Sequence, residues 1–214
     1  KGSNANYYGV IRIFNGETCE LLESIYDPEN HVIASSPLTI ADIDRDGYVE
    51  IIAQRAYAHK SSTARYGLVM FKWNATDKKF KTARPTSETP ATSRRWDGPA
   101  MHDINDDGIP EIISYGEVFD ALTGKRLNPG NASTDINSGS GAFSVVGDID
   151  NDGKVELLSR KGIYEWDNAQ SKWVVQKAFN MTGHQFAYAD FGVAGATAAD
   201  FNYYGKDKIY QNRT

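Results

Sequence analysis

A nine-residue acidic loop recurs three times in the chain, and it restricts the possible folds more than any other feature. The copies DIDRDGYVE, DINDDGIPE and DIDNDGKVE begin at positions 42, 103 and 148. Each has oxygen-bearing side chains at its first, third and fifth positions, Gly at the sixth and Glu at the ninth. Glycine suits the sixth position because a sharp reversal there calls for a positive φ, which glycine adopts without steric cost.

This pattern predicts calcium binding at all three loops. Calcium takes six to eight oxygen ligands, and alternate side chains, a main-chain carbonyl and a closing carboxylate supply them from one short segment. An EF-hand begins in the same way, but its last carboxylate is the twelfth residue and helices flank it. Here the acid is the ninth residue and leads into an apolar run that predicts a strand. The alternative is that the loops are three acidic hairpin turns built on Asp-Gly. That alternative does not explain why Glu recurs at the ninth position.

A fourth copy of the loop has lost two of its ligands. Asp200 and Asn202 stand at its first and third positions, but Tyr204 and Lys208 replace the fifth and ninth ligands. The Lys208 ammonium would neutralise Asp200 directly. We therefore expect this loop to fold without a metal ion.

The charge of the chain is consistent with calcium binding and argues against some other functions. The formal net charge is −5, and three Ca²⁺ ions would bring it to +1, so the loaded surface would be nearly neutral. There is no basic stripe and no run of like charges, and the mean hydropathy is −0.52. We therefore expect neither nucleic-acid binding nor membrane insertion.

The segments around the loops predict short strands in a repeated order. A stretch of small residues precedes each loop, an apolar run follows it, and a hairpin completes the unit. In each hairpin an apolar run ends in an aromatic residue before a polar turn; these residues are Phe14, Trp73, Phe119 and Trp166. With the fourth copy included, successive loops begin 61, 45 and 52 residues apart. Four strands per unit at this spacing predict an all-β chain made of β-propeller blades.

The chain resembles the FG-GAP/VCBS-repeat β-propellers, the family to which the head of the integrin α subunit also belongs. The motif that names the family is nearly literal at Phe191-Gly192-Val193-Ala194-Gly195-Ala196, although Thr197 stands where the family has Pro. The calcium loop matches D-x-[DN]-x-[DN]-G-x-x-[DE] at three places, and the resemblance covers essentially the whole chain. It implies three ligand sets, each with a main-chain carbonyl from the seventh loop residue: Asp42, Asp44, Asp46, Tyr48 and Glu50; Asp103, Asn105, Asp107, Ile109 and Glu111; Asp148, Asp150, Asp152, Lys154 and Glu156.

The phase of the repeats predicts that residues 1–214 form one propeller segment, with three whole blades between two half-blades. The chain starts on the hairpin of one blade and stops after the second strand of another, at Tyr210. The halves either overlap to close a four-bladed ring or belong to a larger propeller, which in this family usually has about seven blades. We favour the larger propeller because an uncovered half-blade leaves strand edges open. Cys19, the single cysteine, then bridges to a cysteine outside this sequence or remains a free thiol.

No group of residues predicts catalysis. Cys19 has no His beside it in the sequence, and the carboxylates that would do acid–base work are the proposed calcium ligands. The histidines share no spacing typical of a zinc site; they are His31, His59, His102 and His184. An enzymatic activity is therefore disfavoured.

Two further observations bear on ligands and location. Trp96, with Arg94 and Arg95 beside it, lies in a connection between blades, where it would stack on a sugar or grip a carboxylate; alternatively it packs on the turn at Gly98. The other three tryptophans are expected in the core.

Extracellular calcium modules work at dissociation constants of about 10⁻⁴–10⁻³ M. Four glycosylation sequons agree with that setting; they begin at Asn74, Asn131, Asn180 and Asn212.

Together these features predict a secreted or surface-displayed calcium-binding β-propeller that acts as a binding or adhesion module for a glycan or a protein. The remaining strands of a larger propeller, or a partner chain, would complete it. Two alternatives stay open. The propeller is the scaffold of a polysaccharide-degrading, lyase-like enzyme, or it is a structural repeat unit of an extracellular filament or surface layer.

Overall fold

The computed structural model describes residues 8–27, 30–34, 36–55, 67–85, 98–128, 136, 145–150, 152–159, 161–178, 186–189 and 208–211. The strands in these ranges all pair antiparallel in two-, three- and four-stranded sheets. The predicted all-β class is confirmed. In the described part of the chain, no helix has the length and apolar character needed to cross a membrane.

In chain order the strands are β1 (Tyr8–Gly9), β2 (Ile11–Phe14), β3 (Leu21–Ile25), β4 (Val32–Ile33), β5 (Thr39–Ala41), β6 (Glu50–Gln54), β7 (Leu68–Asn74), β8 (Lys79–Pro85), β9 (Ala100–His102), β10 (Glu111–Ser114), β11 (Glu117–Asp120), β12 (Val145–Gly147), β13 (Glu156–Leu158), β14 (Gly162–Asp167), β15 (Lys172–Ala178), β16 (Phe186–Ala189) and β17 (Lys208–Gln211).

Two four-stranded sheets have the strand order that the repeat predicts. One sheet runs β5-β6-β7-β8 and the other β12-β13-β14-β15, each as an up-and-down meander. The first two loops connect β5 to β6 and β9 to β10, and the third connects β12 to β13. In every case the closing Glu is the first residue of its strand and pairs with the residue just before the loop. The antiparallel register therefore holds the two ends of each loop together.

The sheet β9-β10-β11 lacks the full outer strand that its sequence predicts. Among the described residues, that strand is reduced to a single bridge between Phe119 and Arg126. The buried side chain of Asn128 supplies the missing hydrogen bonds, because its Oδ1 accepts from the Val118 N–H at 2.8 Å and its Nδ2 donates to the Gly116 carbonyl at 2.9 Å. A side-chain amide thus replaces part of a strand.

Three smaller pairings complete the described structure. The predicted first hairpin is β2-β3, and its turn is held by Asn15, whose Oδ1 accepts from the N–H groups of Glu17 and Thr18. Strands β16 and β17 pair across the fourth loop, which itself lies outside the described residues. The pairing of β1 with β4 is one that the repeat pattern does not predict.

The sheets contact one another face to face in sequence order. On β6, Ile51 and Ala53 belong to a core cluster shared with the β2-β3 hairpin, whereas Ile52 belongs to a cluster shared with β10 and β11. On β10, Ile112 faces back to that second cluster and Ile113 faces a third one, shared with β13 to β15. Successive side chains of a strand point to opposite faces, so the sheets that contain β6 and β10 are buried on both faces at these strands. This burial explains why the second strands are continuous apolar runs rather than alternating ones.

Candidate metal centres

The first carboxylate of each loop is fixed by main-chain N–H groups. Its two oxygens accept from the fifth and sixth loop residues, at 3.1 and 3.0 Å for Asp42, 3.1 and 2.7 Å for Asp103, and 3.1 and 3.0 Å for Asp148. The fifth-position carboxylate accepts from the N–H of the seventh residue at 2.8–2.9 Å in all three copies. The same hydrogen-bond frame therefore recurs in three loops that differ in sequence at other positions.

The closing glutamates lie at the floor of the loops. Glu50, Glu111 and Glu156 are 1, 2 and 2% exposed. One oxygen of each accepts the N–H of the second loop residue, at 2.8, 3.0 and 2.7 Å. The second residue is Ile in every copy, and its side chain is buried. This isoleucine anchors the loop to the core, a role that the ligand motif does not indicate.

Burial of the closing carboxylates raises their pKa. Burial is the largest cause for Glu111 and Glu156, and together with nearby aspartates it raises the pKa of each to about 7, although a main-chain N–H bond works in the other direction. The pKa of Glu50 is also raised, again chiefly by burial, and Lys72 partly opposes the shift. A buried carboxylate close to other acids is a group that a cation stabilises.

Two of the loops bring three carboxylates together. In the first loop, one oxygen each from Asp42, Asp44 and Glu50 lie within 4.8 Å of one another. The second group with this spacing is in the third loop and consists of Asp148, Asp150 and Glu156. These two clusters could hold a metal ion. The buried Glu50 Oε1 has no hydrogen-bond partner, which fits a ligand atom that awaits a cation.

The second loop is satisfied internally. Its third residue, Asn105, donates from Nδ2 to Glu111 Oε1 at 2.9 Å and accepts at Oδ1 from the Asp107 N–H at 2.9 Å. Asp103, Asp107 and Glu111 provide three carboxylates at the predicted ligand positions, against four at those positions in each of the other loops, and Asp106 adds an acid at the fourth position. The loop therefore keeps the shared frame with one carboxylate fewer among its predicted ligands.

The backbone of the loops has the predicted glycine geometry. Gly47, Gly108 and Gly153 have φ values of 88°, 82° and 88°. A Cβ added at Gly47 or Gly153 would meet nothing within 4 Å, so conformation rather than space requires glycine there. The fourth residues Arg45 and Asp106 also have positive φ, at 59° and 61°.

Basic side chains reach the first and third loops. Lys72 on β7 contacts Asp44 Oδ2, lies 2.8 Å from Asp46 Oδ2 and 3.7 Å from Glu50 Oε1. Its hydrogen bonds to Asp44 and Asp46 raise its pKa. In the third loop, Lys154 Nζ donates to Glu165 Oε1 at 2.7 Å and lies 3.8 Å from Asp152 Oδ2. The linear motif gives no sign of Lys72. Only its cross-strand position opposite Glu50 brings it to the loop.

The first and second loops also touch each other. The Arg45 guanidinium of the first loop donates from Nη2 to the carbonyl of Gly108 in the second. The sheet β12-β13-β14-β15 also contacts the second loop, because Asn168 Nδ2 donates to the Asn105 carbonyl at 3.4 Å. Neighbouring sheets are thus joined at their loops as well as through their apolar faces.

Three tryptophans are predicted to lie in the core, and the structure buries two of them. Trp73 pairs with Phe80, and Trp166 with Trp173, in edge-to-face contacts of 5.4 and 5.1 Å between ring centroids. Trp166 and Trp173 are buried in the core. The prediction of a core position is wrong for Trp73, which is half-buried and stacks on the exposed ring of Tyr48 at 6.4 Å.

Several other predicted residues stand apart from the loops or lie outside the described residues. Cys19 is an exposed free thiol in the first hairpin turn. Asn74 ends β7, and its Oδ1 accepts from the Asp77 N–H at 2.9 Å. The residues outside the described ranges are Trp96, Arg94, Arg95, Asn131, Asn180, Asn212, Asp200, Asn202, Tyr204 and the motif at 191–196.

Comparison with known proteins yields one structural similarity. No protein-family model matches the chain, and no curated protein sequence matches it. Among solved structures, the chain is similar to the biofilm matrix protein Bap1 of V. cholerae, with a TM-score of 0.40 and 17% identity. The match covers 89% of this chain and 36% of that protein, so the chain spans about a third of its length. Similarity at this level transfers neither a fold nor a function.

Proposed function

We propose that the chain is an extracellular, calcium-binding β-propeller segment of the FG-GAP/VCBS type that acts as a binding or adhesion module for a glycan or a protein. In this proposal the calcium ions are structural. They neutralise the loops that join the first and second strands of successive blades, and the blades present the ligand surface.

One observation carries the calcium part of the proposal. Three loops share a hydrogen-bond frame in which main-chain N–H groups bond to the first and closing carboxylates. In the first and third loops, one oxygen each from three carboxylates also lie within 4.8 Å of one another. Oxygen-only donor sets of this kind suit a hard cation such as calcium, whereas softer metals prefer imidazole or thiolate. The buried Glu50 Oε1, which accepts no hydrogen bond and lies 3.7 Å from Lys72 Nζ, supports the same assignment.

The blade assignment is supported by the sheet order and by burial. Two four-stranded meanders have their loops at equivalent places, and β6 and β10 bury apolar side chains on both faces of their sheets. Stacked sheets of this kind are the building units of propellers. The extracellular setting is supported by the weak calcium affinity expected of such modules and by the sequons.

Calcium binding is tested by counting bound ions. The chain is dialysed against 10 mM CaCl₂ and, separately, against 10 mM MgCl₂, and the metal is measured by mass spectrometry. We expect calcium to bind in a stoichiometric ratio and magnesium to bind far less, because magnesium demands a tighter octahedral site. Equal binding of the two ions, or no calcium, would contradict the proposal.

The ligand part is tested separately on a glycan array, with calcium and with EDTA. Binding to a defined glycan that is lost in EDTA supports the module. Turnover of a bound polysaccharide would instead favour the lyase-like alternative, and absence of binding to any glycan would move the search to protein ligands.

A further inference from the structure

Lys72 places an ammonium group among the ligands of the first loop. Its Nζ contacts Asp44 Oδ2, lies 2.8 Å from Asp46 Oδ2 and is 3.7 Å from Glu50 Oε1. Three of the four acidic ligands of this loop therefore converge on one internal positive charge. The side chain reaches them because Lys72 on β7 is the direct cross-strand partner of Glu50 on β6.

The equivalent positions in the other two sheets are acidic. Asp120 is the cross-strand partner of Glu111, and Glu165 is the partner of Glu156. The third loop does have Lys154 nearby, but its ammonium donates to Glu165 at 2.7 Å and stays 3.8 Å from Asp152 Oδ2. Within the three described loops, an ammonium in contact with several ligand carboxylates is a property of the first loop.

We propose that Lys72 is a built-in counter-cation that makes the first loop a weak calcium site. This inference rests on the proposed calcium function of the loops. An ammonium that contacts the ligand oxygens competes with calcium for the same charge and repels the ion if it stays in place. Calcium must therefore displace it. The Lys72 side chain is 31% exposed and flexible, so it has a route into solvent.

The consequence is that the first and third loops differ in how strongly their folded shape depends on calcium. The first loop is neutralised from within and keeps its shape at low calcium. The third loop, with four acidic ligands and an acid opposite Glu156, depends on the metal. Because Arg45 bonds to the Gly108 carbonyl, the first loop also supports the second one when calcium is scarce.

The test is a calorimetric calcium titration of five proteins: wild type, Asp46→Ala, Lys72→Met, Lys72→Arg and Lys81→Met. Lys81 is a matched control because it lies opposite Lys72 on β8 and pairs with Asp77, which is not a ligand. We expect wild type to show a weak component that Asp46→Ala removes. In Lys72→Met this component should tighten by about tenfold or more, since one competing charge is gone. In Lys72→Arg and Lys81→Met, the calcium affinity of this component should stay as weak as in wild type.

A second measurement separates this inference from the proposed function. In EDTA, Lys72→Met should lower the thermal midpoint, because the carboxylates lose their internal cation, whereas Lys81→Met should not. If Lys72→Met does not fold in EDTA, its affinity is measured by chelator competition from the calcium-loaded state. Calcium binding with an unchanged weak component in Lys72→Met would overturn the inference and leave the calcium function standing. No calcium binding in any of the proteins would overturn both.

Discussion

Glycine at the sixth loop position is required by backbone conformation, and this requirement can be measured. Gly47 has a φ of 88° and open space around it, so Gly47→Ala changes conformational strain without a clash. We expect a loss of about 1–2 kcal/mol in the free energy of unfolding, measured by urea denaturation. Gly16→Ala is the matched control, because Gly16 also has open space and lacks a positive φ. Equal effects of the two substitutions would show that the loop is not held in this conformation.

Replacing the closing glutamate should have opposite effects on the stability of the metal-free protein and on calcium binding. Its pKa in the metal-free fold is raised from 4.5 to about 7 for Glu156, so the ionised carboxylate costs stability. That cost is absent below about pH 4.5 and complete above about pH 7. Glu156→Gln keeps the shape and an oxygen acceptor but removes the charge. At pH 8 we expect it to stabilise the metal-free protein, by on the order of 1 kcal/mol.

The same Glu156→Gln variant should weaken calcium binding at the third loop by about tenfold or more, because a ligand charge is lost. Thermal unfolding in EDTA and a calcium titration measure the two effects. Glu17→Gln, at an exposed turn, is the control for both. A variant that loses stability in EDTA without any change in calcium affinity would show a purely structural role for this carboxylate.

At the scale of single elements, the sheet β9-β10-β11 depends on one side chain. Asn128 is buried and satisfies the Val118 N–H and the Gly116 carbonyl. Asn128→Ala removes the acceptor of the Val118 N–H, whereas the Gly116 carbonyl keeps the hydrogen bond from Trp173 Nε1 at 3.0 Å. We expect a loss of about 1–3 kcal/mol in the free energy of unfolding. Lys125→Ala, at an exposed position of the same hairpin, should cost little. If chemical denaturation gave similar values for the two variants, the Asn128 amide would not be replacing a strand.

Local and repeated features of these elements could be predicted from the sequence. The loops and the strand order of the two four-stranded sheets follow from a periodic pattern that is present in the linear chain. The position of Lys72 could not be predicted in this way, because it depends on the register between β6 and β7. The replacement of part of the predicted outer strand by Asn128 could not be predicted either, since a side chain takes over main-chain hydrogen bonds. The propeller itself stays a proposal.

At the scale of the whole molecule, loops and sheet faces act together. The sheets share apolar clusters on both faces, and the loops of neighbouring sheets touch through Arg45 and Asn168. Electrostatic repulsion among the loop carboxylates opposes folding in the absence of a cation. The account therefore holds that calcium stabilises the entire described fold rather than one turn.

The thermal midpoint of unfolding, measured in EDTA and in 10 mM CaCl₂ at equal ionic strength, tests this claim most directly. At dissociation constants of about 10⁻⁴–10⁻³ M, each occupied loop adds about 1.4–2.7 kcal/mol under these conditions. For a chain of this size, a gain of 1 kcal/mol raises the midpoint by about 2–4 °C. We therefore predict a calcium-dependent rise of several degrees or more, with a much smaller effect of 10 mM MgCl₂. An identical midpoint in EDTA and in calcium would contradict the account.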